Sequence, residues 1–229
     1  AVQRAGGFAR LTDEAARQLI FDQLVQLAHS LESKERVGRT KADEESRNAT
    51  ARMMGAISLL RMAGQCAPSS EDLVRQRFRL ASALTSVGRH AEAVDSYQRV
   101  LADPSLRRLS VRLVATPAMI EPTGDLRSAE AAEMRFVNSV DPVIAGPAAS
   151  RAIDDLIEAH GRKVYAAVEV KAGDRLKIAV ADEDPAAIIE GAESFPNSAV
   201  ATTAYAAHAE LLCNRGELDA AARSFRRAL

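Results

Sequence analysis

The stretch Ser70–Pro104, SEDLVRQRFRLASALTSVGRHAEAVDSYQRVLADP, decides the fold. Leu73, Phe78, Leu80, Ala81, Leu84 and Val87 recur at helical spacing. Ser69 stands three residues before Asp72, the spacing of a capping box with Asp in place of Glu. Gly88-Arg89-His90 interrupts the pattern, with glycine where a helix end takes a left-handed residue. A second helix is predicted from Ala91 to Ala102, stopped by Asp103-Pro104. A turn this short makes the two helices antiparallel neighbours.

The same order of residues returns near the C-terminal end. The first stretch reads Arg77-x2-Leu80-Ala81-x2-Leu84, Gly88, Ala93-x3-Tyr97 and Pro104. The second reads Tyr205-x2-His208-Ala209-x2-Leu212, Gly216, Ala221-x3-Phe225 and Ala228. Small residues at Ala81, Ala93, Ala209 and Ala221 suit the closest approach of paired helices. Tyr97 and Phe225 suit the space between one hairpin and the next. These motifs resemble the tetratricopeptide repeat, whose helix pairs carry W-x2-L-G-x2-Y, A-x3-F and P. Arg77 replaces the large aromatic and His208 replaces leucine. The two turn glycines are 128 residues apart (216 minus 88), not a multiple of the ~34-residue period, so an uninterrupted array is excluded. The resemblance implies an all-α fold, an α-α superhelix of tetratricopeptide-like hairpins that bury their open faces by stacking.

The rest of the chain is read around these hairpins. Thr12-Asp13-Glu14 offers a capping hydroxyl and then acids at the positive end of a helix dipole. Leu19, Ile20, Leu24, Leu27 and Leu31 follow on one face. A loop near Arg36–Lys41 leads to a helix from Asp43 to Met62, ended by Gly64. Residues 105–147 hold Pro117, Pro122, Pro142 and Pro147 with Gly124 and Gly146, and form an irregular connector or insertion. Within it Leu109–Val114 suits a short strand and Leu126–Val140 a helix. Helices resume at Ala148, and Gly161 closes the first of them. Lys163–Val180 is predicted as one long helix, although Val164–Val170 also fits a strand. Asp184-Pro185 is a cap followed by proline at the first helical position. Phe195-Pro196-Asn197-Ser198 separates that helix from the last two, Ala199–Cys213 and Glu217–Leu229. The domain reading is 1–104 for N-terminal hairpins, 105–147 for the connector and 148–229 for C-terminal hairpins.

A second resemblance rests on Ile153-Asp154-Asp155-Leu156-Ile157-Glu158-Ala159-His160, then Gly161-Arg162-Lys163-Val164-Tyr165, with Asp184-Pro185 and Phe195–Ser198 after it. This block is similar to the helical region of large planctomycete-type bacterial proteins that carry tetratricopeptide-like helices beside a PQQ-like β-propeller. It implies an envelope or periplasmic location, with cytoplasmic as the alternative, and a chain that continues past Leu229. It also implies an alternative role as the helical accessory region of a propeller oxidoreductase. No propeller residue is present to carry that activity over.

Composition excludes several classes. Thirty basic and 31 acidic residues nearly cancel, so no global field draws nucleic acid. No apolar run reaches the ~20 residues of a membrane span. Cys66 and Cys213 are far apart, and His29, His90, His160 and His208 are scattered, so neither a metal site nor a cofactor is expected. Both cysteines read as small residues on helix faces. Asp154-Asp155 and Asp182-Glu183-Asp184 read as solvated acids and a cap, and His208 as a hydrogen-bonded interior residue. Basic Arg162, Lys163, Lys171, Arg175 and Lys177 alternate with Glu169 and Asp174, the pattern of a solvated face.

The expected function is that of a non-catalytic scaffold binding a protein, a peptide or another domain of its own chain. In tetratricopeptide proteins the first helix of each pair lines a concave groove. That resemblance assigns Arg75, Phe78, Ser82 and Ser86 to the groove in one repeat, and Thr203, Ala206, Glu210 and Asn214 in the other.

Overall fold

The computed structural model describes residues 13–33, 42–113 and 142–229. Among them the chain is all-α, with ten α-helices and a single pair of two-residue strands. The described residues form two compact units. One holds those up to Ser96 together with those of Leu109–Ile144; the other holds Tyr97–Arg108 and Ala145–Leu229.

In the first unit α1 (Glu14–Ser33) begins at Asp13, whose carboxylate accepts from the backbone N–H groups of Ala15 and Ala16. The cap is thus the acid; Thr12, the predicted capping hydroxyl, lies outside the described residues, as does the predicted loop at Arg36–Lys41. α2 (Ala42–Cys66) runs four residues past the predicted end. Gly64 does not stop it, because the helix needs a missing side chain there. A Cβ on Gly64 would stand 2.8 Å from Gln76 Oε1, and the Gln76 amide donates to the Leu60 carbonyl. Phe21, Ala63 and Cys66 form a core cluster with Ile20, Leu24, Val25 and Met62 packed around it.

α3 (Ser70–Ser86) is capped by Ser69, which accepts from the Asp72 N–H and donates to the Asp72 carboxylate. α4 (His90–Leu101) folds back along it. Its residues up to Ser96 belong to the first unit and the remainder to the second. Ser96 Oγ donates to the Arg77 carbonyl at 2.9 Å, and Ala81 and Ala93 are wholly buried. Gly88 makes the corner at φ 75°. Its N–H donates to the Thr85 carbonyl and the Arg89 N–H to the Leu84 carbonyl, closing the carbonyls left open at the helix end. Strands β1 (Ser110–Val111) and β2 (Val143–Ile144) pair antiparallel, Ser110 opposite Ile144. The predicted strand thus exists but is two residues long; the predicted helix at Leu126–Val140 lies outside the described residues.

In the second unit Asp103-Pro104 does more than stop a helix: it caps α5 (Pro104–Arg107), a single turn. α6 (Ala145–His160) begins three residues before the predicted start. A 3-10 turn at Arg162–Tyr165 then precedes α7 (Ala166–Ala181), so the predicted long helix is broken near its start. α8 (Pro185–Ser194) is capped by Asp184 as predicted. α9 (Val200–Asn214) and α10 (Leu218–Ala228) form the last hairpin.

Two of these hairpins turn in the same way. The corner between α9 and α10 is Gly216 at φ 81°, with Gly216 N–H donating to Cys213 and Glu217 N–H to Leu212. The corner between α7 and α8 is Glu183 at φ 50°, with Glu183 N–H donating to Val180 and Asp184 N–H to Ala179. Glu183 and Gly216 are 33 residues apart (216 minus 183). Glutamate hides this repeat from the sequence, because glycine is the residue that announces a left-handed corner. The two hairpins stack through Ala179, Ile188, Ala192 and Ala204.

A buried polar chain ties the start of this unit to its middle. The Arg107 guanidinium donates to Glu193 at 2.9 Å, to Glu190 at 3.3 Å and to the Leu101 carbonyl at 3.0 Å. Gln98 donates to the Ser194 carbonyl and accepts from the Tyr165 hydroxyl. Burial of a cation is tolerated here because two carboxylates and a carbonyl replace its water. Gly146 lets α6 approach, since a Cβ there would meet Arg107 Cγ at 2.6 Å.

Candidate partner surfaces

The eight assigned groove residues fall into two sets, one in each unit. On α3, Arg75 and Ser86 are exposed and Ser82 is half-buried. Phe78 is not on offer: only 9% of it is exposed, and it belongs to the core. The i, i+3, i+7 spacing that placed it with Arg75 and Ser82 says which side of the helix it occupies, not whether that side is covered. Arg75 is held in place. It forms ion pairs with Glu71 and with Asp72, the latter at 3.5 Å, and its Nε donates to the Arg112 carbonyl at 3.3 Å. Ser86 Oγ donates back to the Ala83 carbonyl.

On α9, Thr203, Glu210 and Asn214 are exposed and Ala206 is half-buried. Spacings of three, four and four residues keep them on one side of the helix. This set forms a polar stripe interrupted by the half-buried Ala206.

The sequence did not join His208 to Ser224, yet the fold does. His208 Nδ1 and Ser224 Oγ are 2.7 Å apart across the last hairpin. Burial pushes the imidazole below its ordinary value, against the opposing pull of Glu217. A neutral imidazole beside a hydroxyl is half of a nucleophilic pair. Hydrolysis also needs an accessible hydroxyl and donors for the oxyanion. Ser224 is buried on the inner side of the hairpin, so the contact serves packing. No helical periodicity singles out such a pair, since its members come from different helices.

Other chemistry finds little footing. An open recess of about 210 Å³ lies between α7, α8 and α9, bounded by Leu176, Gly191, Phe195 and Val200. Its lining side chains are all apolar, so none of them would orient a polar ligand. Among the described residues no group of three His, Cys, Asp or Glu side chains is placed to hold a metal ion. Among them, too, no helix is long and apolar enough to cross a membrane. The basic residues Arg162, Lys163, Lys171, Arg175 and Lys177 are exposed, and Arg162 bonds Glu169 and the Asn197 carbonyl. Asp154 accepts from Asn197 at 2.8 Å, a structural contact between α6 and the segment before α9.

No protein-family model matches the chain, and neither a curated protein nor a solved structure gives a significant match.

Proposed function

We propose that the chain is a non-catalytic helical-repeat scaffold of the tetratricopeptide kind, holding a partner protein or peptide, or another domain of its own chain, against its hairpin faces. The observation that carries this reading is the pair of hairpins 33 residues apart. They share one corner geometry and one stacked core. That spacing is within a residue of the ~34-residue tetratricopeptide period. Buried alanines pinch the α3–α4 and α9–α10 pairs alike, which supports a common hairpin plan. Stacked hairpins expend their apolar faces on one another and leave one side of each first helix for contact.

The test is affinity capture from the source organism with the chain as bait, followed by measured binding of the captured protein. Substitutions Arg75→Glu on α3 and Thr203→Asp with Glu210→Arg on α9 probe the two surfaces separately. Loss of ~10-fold or more in affinity in one of them, with unchanged helicity, is expected. Full binding in both would overturn the reading. Phe78→Ala is unsuited to this purpose. It would cost roughly 3–5 kcal/mol of stability by emptying a core position.

A further inference from the structure

We draw no further inference here: the strongest candidate, the outer face of α7, where exposed Val170 and Ile178 stand with Lys171, Asp174, Arg175 and Lys177, mixes charges of both signs, and nothing in the structure shows what covers it.

Discussion

His208 and Ser224 meet at 2.7 Å across the last hairpin, at positions where the α3–α4 hairpin carries Leu80 and Ser96. In that earlier pair the serine turns instead to the backbone, donating to the Arg77 carbonyl. One hairpin plan is thus closed by a backbone contact in one case and by a titratable side chain in the other.

The consequence is a pH dependence confined to the last hairpin. Burial lowers the His208 imidazole below its ordinary 6.5, so the native state favours the neutral ring. Stability from this group is complete above about 6.5 and falls as pH drops through that value toward the native one. Thermal melts between pH 7.5 and 5 should show a decline that His208→Leu reduces. An equal decline in the variant would mean that other groups carry it.

At the alkaline end Tyr97 takes over. Burial, reinforced by the Asp155 carboxylate, pushes its phenol up to about 12 from an ordinary 10. A raised value favours the protonated native state, so stability is complete below about 10 and is lost as pH climbs toward 12. Burial pushes the Tyr165 phenol up further still, so tyrosinate absorbance should show late titration whose component near 12 is lost in Tyr97→Phe while that of Tyr165 stays. A titration unchanged by that substitution would contradict the assignment.

The three corner residues should respond in opposite directions to substitution. Gly216 and Gly88 hold φ of 81° and 75°, so alanine at either is expected to cost about 1–2 kcal/mol. Glu183 already bears that strain at φ 50°, and Glu183→Gly should stabilise by roughly 0.5–1 kcal/mol. Denaturant titration at fixed slope measures all three.

Helical glycines should likewise divide by what stands opposite them. Gly64→Ala drives a methyl to within 2.8 Å of the buried Gln76 side chain and should destabilise by about 1–3 kcal/mol. Gly173 and Gly191 face no atom within 4 Å, so alanine there should stabilise by roughly 0.5–1 kcal/mol each through helix propensity. A loss of stability at Gly191 would mean that the recess beside it does not admit a methyl group.

The two thiols should react at different rates. Cys66 is wholly buried, which pushes its thiol up and keeps it protonated, while Cys213 is exposed. A thiol reagent should modify one equivalent quickly in the native protein and the second only on unfolding. Cys213→Ser should abolish the fast phase.

The sequence alone determined what local chemistry controls. Apolar spacing identified α3, α4, α9 and α10, and glycine identified the corners at Gly88 and Gly216. Asp184-Pro185 began α8 because a capping carboxylate and a fixed φ act within a few residues. Ala81, Ala93, Ala209 and Ala221 were legible as buried positions because only small residues repeat there. The reading failed where a residue's role depended on something distant. Gly64 read as a stop until Gln76 was brought against it. Glu183 gave no sign of a left-handed corner, so the 33-residue repeat stayed hidden. Phe78 read as a groove residue and Phe225 as filling between hairpins, yet Phe78 is buried and Phe225 is 41% exposed among the described residues. Periodicity assigns a residue to one side of a helix; only tertiary packing decides what covers that side, because burial is a property of two surfaces together.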